Sequence, residues 1–198
     1  MNAMKKLVLA SASPRRRALL HQIGLQFEVK ESGVIEDDAP DVSPQDYVIS
    51  LSKKKASVIA LKEVNAIVIG ADTIVVINNK SLGKPSTHRE AVTMLTALSG
   101  RTHSVYTGFT LVDMPSHKSV SAFEVTKVTF RTLDKDEIRA YVDSGSPMDK
   151  AGAYGIQDDY GAVFVEKVDG CFYNVVGFPL AKFYITLKEF QQQLGFGN

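Results

Sequence analysis

The sequence predicts an α/β protein: a single two-lobed domain with a mixed, elongated central sheet flanked by helices and a cleft between the lobes. Three observations carry this. Short apolar runs alternate with stretches that open on a serine or threonine cap. Two long stretches of period-two alternation, residues 103–113 and 119–132, follow one another across a short turn. A chain of 198 residues is long enough for one substantial core, and neither a linker nor an internal repeat divides it.

Composition narrows the function classes. A hydrophobic share of 44% with 23% charged residues is ordinary for a soluble globular chain. A formal net charge of +1 advertises neither nucleic acid nor a membrane as a partner. The single cysteine, Cys171, excludes an internal disulfide and a cysteine-based zinc site, and fits a reducing compartment. With no signal-peptide core and no apolar run of membrane-spanning length, the expected location is the cytoplasm.

The first strand is the apolar run Leu7-Val8-Leu9-Ala10. Ser13 and Pro14 then read as an N-cap and a first-position proline, starting a helix to about Ile23 that Gly24 stops. Leu19, Leu20 and Ile23 form its expected core face. Arg15, Arg16 and Arg17 fall in the first turn, where the helix dipole is already positive and favours anions. They either pair with carboxylates at a solvated helix start or join Ser11, Ser13 and the unpaired N–H groups in an anion trap. Arginine clusters recur at phosphate sites, so a phosphate chain is the natural guest.

Residues 27–30 alternate as a second strand, and residues 31–41, ESGVIEDDAPD, form an acidic loop. Its Glu36, Asp37 and Asp38 are either solvated surface or donors to a hard divalent cation. Ser43-Pro44 repeats the cap signal and opens a helix to about Leu61, with Tyr47, Val48, Leu51 and Val58 along its apolar stripe. Lys54 and Lys55 border that stripe. Each can snorkel to water or reach inward to a phosphate, and periodicity does not choose.

Ala66–Ile77, AIVIGADTIVVI, is the most informative stretch, because two β-branched runs flank Gly70-Ala71-Asp72-Thr73. Asp72 is either a turn residue bonding its own backbone or a carboxylate aimed into a cleft as base or metal ligand. The apolar flanks favour the cleft, since a carboxylate there needs a partner to offset its desolvation. Asn78-Asn79-Lys80 reads as a hairpin turn, and Pro85 after Lys84 excludes a phosphate-loop motif. Lys84 by itself is a surface lysine in a turn.

Thr87 and Glu90 read as a capping box for a helix through Ala91, Met94, Leu95 and Leu98 to Gly100. His103 has no carboxylate or second histidine at a useful spacing and reads as structural. The two long alternating stretches form an antiparallel arm, suited to a second lobe or a subunit contact, so a homodimer is among the expected assemblies. Asp134 and Glu137 cap a helix ending near Gly145. In residues 149–157, DKAGAYGIQ, glycines around Tyr154 mark either backbone brought close to a ligand or a tight bend. Residues 164–168, the Asp169-Gly170 turn and residues 172–176 read as a final hairpin. Gly177-Phe178-Pro179 opens a last helix packed through Leu180, Phe183, Tyr184 and Leu187.

Five of these stretches resemble motifs of the Maf family of nucleotide pyrophosphatases: SASPRR from Ser11, GADTIV from Gly70, Lys84-Pro85, SGRTHSVYTG from Ser99 and DKAGAYGIQ from Asp149. One departure is Ala12, where the family often has glycine. The resemblance implies an inosine triphosphatase-like fold and hydrolysis of dTTP and UTP, or modified pyrimidine triphosphates, to the monophosphate and pyrophosphate. It implies Mg²⁺ or Mn²⁺ as cofactor and water attacking the α-phosphate, with Asp72 as proton acceptor and metal ligand. Glu36 becomes a second metal ligand. Ser11, Ser13, Arg15, Arg16, Lys55 and Lys84 become phosphate contacts, Thr73 a neighbour of the base pocket, and Gln157 the reader of the pyrimidine edge through an amide that donates and accepts. The family's link to septum formation implies an alternative, a nucleotide-sensing inhibitor without turnover.

Overall fold

The computed structural model describes residues 5–35, 42–157 and 160–196. Glu36, together with Asp37 and Asp38, lies outside them. The chain runs β1 (Lys6–Leu9), α1 (Pro14–Gln22), β2 (Glu28–Val29), α2 (Pro44–Ala60), β3 (Ala66–Ile77), β4 (Lys80–Leu82), α3 (His88–Leu98), β5 (Thr102–Met114) and β6 (Ser119–Phe130). It continues through α4 (Lys135–Asp143), two single 3₁₀ turns (Ser146–Asp149 and Ala151–Ala153), α5 (Gly161–Phe164), β7 (Val165–Asp169), α6 (Phe172–Val176) and α7 (Leu180–Gln193).

The strands lie in the order β2-β1-β3-β5-β6-β7, with β4 paired to β3. β1 is parallel to β2 and β3, whereas β4 on β3 and β7 on β6 are antiparallel, so the sheet is mixed, as the sequence predicts. Thr110 meets Ser121 and Thr102 meets Thr129 across β5 and β6, the antiparallel arm expected of the two alternating stretches. The chain divides into two compact units, the first drawn from Met1–Asp72, Thr107–Glu124 and Gly177–Asn198, the second from Thr73–Tyr106 and Val125–Val176.

In the first unit α2 covers one face of the strands and α7 the other. Ala56, Ile59 and Ala60 of α2 pack on Val8, Ala10, Ala66 and Val68, one core cluster built on the period-two face of two parallel strands. Opposite it, Phe109 of β5 touches Phe178 and Phe183 around the start of α7. Both cap-then-proline signals hold: the Ser13 side chain accepts from the Arg16 N–H, and that of Ser43 from the Asp46 N–H. Three core assignments change. Ile23 is 36% exposed because α1 ends at Gln22 and Ile23 has left helical geometry. Val58 is only half buried, at the rim of the α2 stripe. Tyr184 is 51% exposed, since α7 buries Leu180, Phe183, Leu187 and Phe190 instead.

The second unit holds the β3–β4 hairpin, α3 to α6 and β7. Asn78 and Asn79 both take positive φ and turn Ile77 back onto Lys80, the two-residue turn that asparagine pairs favour. Asp134 and Glu137 form the reciprocal capping box of α4. At α3 only half of the box forms: Thr87 accepts from the Glu90 N–H, but the Glu90 carboxylate turns to the N–H and hydroxyl of Ser86. The expected last hairpin strand is a helix, α6. Thr126 bonds both the N–H and the carbonyl of Cys171, and the buried Asn174 donates to Val105 O and Thr126 Oγ1. These side-chain bonds hold the segment as a helical turn, which a five-residue apolar run cannot foretell.

Candidate active site

Alternation along β3 aims its even-numbered residues at α2. After Ala66 and Val68 comes Gly70, where a Cβ would lie 2.1 Å from the Ser52 carbonyl oxygen and 2.7 Å from the Ala56 nitrogen. Only the absence of a side chain lets the α2 backbone lie this close. Asp72 is next on that face, and Lys55 Nζ stands 2.6 Å from its Oδ1. Asp72 is 3% and Lys55 6% exposed, so each charge is buried with an opposite charge beside it. Packing thus decides what periodicity leaves open: Lys55 turns inward and Lys54 is exposed. Gly108 of β5 repeats the close approach one turn earlier on α2, with a Cβ there only 2.6 Å from the Val48 carbonyl carbon. Beside it the Ser52 and Thr110 hydroxyls meet at 2.8 Å.

The serine–arginine cluster follows the neighbouring strand, β1, at the start of α1. β1 pairs in parallel with β3 so that Leu9 lies beside Ile69, and the Ala10 N–H donates to Ile69 O. Ser11 therefore follows at the level where β3 reaches Ala71 and Asp72. Its hydroxyl accepts from the Ser13 N–H (3.2 Å) and from Arg16 Nη1 (3.3 Å). Arg16 is buried, and its Nε donates to the Gly177 carbonyl at 3.0 Å, so its guanidinium is held in place before any ligand arrives. Arg15 is half buried. Arg17 is exposed.

The other expected site residues belong to the second unit. Thr73 is half buried on β3, while Lys84 and Gln157 are exposed on loops. Those loops are tied to one another and to β3: the Gly152 N–H donates to Gly83 O, and a Cβ on Gly152 would meet Val75 at 2.7 Å. Asp149 and Lys150 pair at 2.9 Å, the ordinary ion pair their adjacency suggests. His103 is buried, with Nε2 2.8 Å from the Tyr154 hydroxyl, and burial drives its pKa down to about 4, so the ring is neutral.

Among the described residues no group of three or more His, Cys, Asp or Glu side chains could cage a metal. Asp72 supplies one hard carboxylate beside the serine–arginine cluster, which suits Mg²⁺ or Mn²⁺ completing its shell with water and substrate phosphate oxygens. Sequence reasoning missed two contributors, Gly70 and the Gly177 carbonyl. A glycine interrupting a β-branched run is itself a signal of close backbone approach; nothing local to Gly177 foretells its role.

The family model described as Maf-like protein matches residues 6–190. The chain belongs to the Maf family. Curated relatives agree over nearly their whole length. A dTTP/UTP pyrophosphatase of Desulforamulus reducens is 45% identical over 187 residues, 94% of this chain and 97% of that protein. One of Thermoanaerobacter sp. (strain X514) is 53% identical over 192 residues, 96% and 99% of the two chains. One of Carboxydothermus hydrogenoformans is 47% identical over 184 residues, 93% and 98%. A HAM1 protein from Coxiella burnetii gives a TM-score of 0.47 at 15% identity over 94% of this chain and 100% of that one. For this Maf-family chain the α/β fold rests on its own strand order.

Proposed function

We propose that this chain hydrolyses dTTP and UTP, and modified pyrimidine triphosphates of the same shape, to the nucleoside monophosphate and pyrophosphate. The observation that carries the reading is the buried Lys55–Asp72 pair on the strand beside an arginine already fixed next to two serine hydroxyls. Such a constellation is built for a polyanion and for moving one proton next to it. The names of the Maf relatives supply the substrate class.

In this reading Ser11, Ser13, Arg15, Arg16 and Lys55 hold the phosphate chain, and Lys84 adds a further phosphate contact. Arg16 costs little to order, being fixed beforehand, so its charge is ready for the negative charge that builds up during transfer. Asp72 accepts the proton of a water whose oxygen bonds to the α-phosphorus. The bond from that phosphorus to the bridging oxygen breaks, and pyrophosphate leaves with the electron pair. Lys55 releases Asp72 as it engages phosphate, freeing the carboxylate to act. Asp72, with Glu36, would hold Mg²⁺ or Mn²⁺, which would supply neutralisation of phosphate charge when bound. Thr73 borders the base, and the Gln157 amide reads the pyrimidine edge.

The test is pyrophosphate release from dTTP and UTP with Mg²⁺, comparing the wild type with Asp72→Asn. The substitution keeps the shape and removes the proton acceptor, so turnover falls by about 10²–10⁴-fold while triphosphate binding persists. Full activity in Asp72→Asn removes Asp72 from its role; no pyrophosphate from the wild type refutes the function.

A further inference from the structure

The second unit contains a buried polar contact that the proposed chemistry does not use. His103 of β5 and Tyr154 of the glycine-rich loop meet through Nε2 and the phenolic oxygen at 2.8 Å, with His103 2% and Tyr154 6% exposed. The surroundings are aromatic. The His103 ring stands edge-on to Phe130 (5.0 Å between centroids), Tyr154 edge-on to Phe130 (4.7 Å), and Phe164 next to Phe130 and Tyr141. Among the described residues His103 Nδ1 is buried without a hydrogen-bond partner, so the hydrogen bond this ring makes is the one to the Tyr154 hydroxyl. A buried imidazole satisfied at one nitrogen is a costly way to fill a core that a phenylalanine could fill. What the histidine supplies is one directional bond to the loop.

That loop is pinned at three points. Gly152 lies against Val75 and donates its N–H to Gly83 O. Gly161 lies against Gly155, where a Cβ would come 2.3 Å from the Gly155 carbonyl oxygen. Between them, Tyr154 is drawn inward by His103. The contacts at Gly152 and Gly161 rest on close packing at a glycine and, for Gly152, a backbone hydrogen bond; the contact at Tyr154 is a side-chain bond from β5. Gln157 follows three residues after Tyr154, at the exposed end of the pinned segment.

We infer that His103 is a specificity-positioning residue: by holding the Tyr154 hydroxyl it fixes the loop that presents Gln157 to the pyrimidine edge. The inference rests on the proposed reading of Gln157 and deepens it. Uracil presents a ring N–H between two carbonyls, whereas cytosine presents a ring acceptor and an amine. An amide held in one orientation tells the two apart; an amide free to swing through an ångström or to flip does not.

The experiment compares UTP with CTP as substrates for the wild type, His103→Phe, Tyr154→Phe, the double variant and His103→Gln, each checked by thermal melting. The expected result is a fall of about tenfold in the ratio of kcat/KM for UTP to that for CTP in either phenylalanine variant. The loss should appear in KM more than in kcat. The double variant should lose no more than the worse single one, because both remove the same bond. His103→Gln, which keeps a polar group on the ring's side, should recover part of the ratio. A melting temperature that falls while the UTP/CTP ratio stays at the wild-type value in His103→Phe and Tyr154→Phe overturns the inference and leaves the contact purely architectural. Absence of pyrophosphate release by the wild type would instead strike the function on which it rests.

Discussion

Replacing Gly70 by alanine should disable the site without touching any residue that bonds substrate. A Cβ at position 70 would lie 2.1 Å from Ser52 O, 2.7 Å from Ala56 N and 2.9 Å from Ala56 Cβ. Two of these three are backbone atoms of α2, so no side-chain rotation relieves the clash, and the helix must retreat by about 1 Å to restore contact distance. Overpacking of this kind costs about 1–3 kcal/mol of stability. Lys55, three residues from Ser52, moves with the helix. A retreat of that size stretches the 2.6 Å contact to Asp72 beyond hydrogen-bonding range and shifts the ammonium within the proposed phosphate site. The expected loss in kcat/KM is about a hundredfold. The assay pairs pyrophosphate release from UTP with thermal melting, and Gly108→Ala is the control. There a Cβ meets Val48 at 2.6 Å, lifting α2 nearer its N-terminus, so similar destabilisation should come with a smaller loss of turnover. A Gly70→Ala protein with wild-type melting and wild-type kcat/KM would refute the claim that this glycine sets the lysine–carboxylate geometry.

Other outcomes follow from the same geometry. Lys55→Met leaves the Asp72 carboxylate buried without its ammonium and should cost about 3–5 kcal/mol in chemical denaturation, whereas Lys54→Met, at an exposed position, should cost less than about 0.5 kcal/mol. A chelator should abolish pyrophosphate release, and either added Mg²⁺ or added Mn²⁺ should restore it; full activity in excess chelator would exclude the cation from the reaction. The Glu137 carboxyl is held down to about 2, first by its bond to Arg131 and then by the Asp134 N–H. Its folded-state pKa lies below the ordinary 4.5, so its stabilising contribution is complete above that pH and is lost as pH falls through about 2. Glu137→Gln should therefore melt below the wild type near neutral pH, with the gap closing between pH 4.5 and 2.

Where local chemistry decided the structure, the sequence was readable. Ser13-Pro14, Ser43-Pro44, the Asp134–Glu137 box and the Asn78-Asn79 turn each determine a short piece of backbone through groups within a few residues, and each forms as expected. Asp72 stood out for a similar reason, since a carboxylate inside a β-branched run needs a partner nearby. Contacts distant in sequence were not readable. Lys54 and Lys55 are equivalent to a periodicity argument, and the choice is made by Gly70 on a strand that only folding brings near. Residues 172–176 read as a strand because their apolar run lacks a period; Thr126 and Asn174, bonding across the second unit, make them a helix. The positions at which Ile23 and Tyr184 leave the core depend on where a helix stops and how far its buried stripe extends, which is the least legible feature of any helix.

Arg16 depends on a carbonyl 161 positions further along the chain. During synthesis the first helix is made early, but its guanidinium lacks the Gly177 carbonyl until that residue has been added and α7 can pack behind it. A ribosome-bound fragment, or a product clipped ahead of that glycine, would carry every arginine and serine of the opening motif without this bond to orient Arg16. The fixed orientation of that guanidinium thus arrives only after the ribosome has passed that glycine.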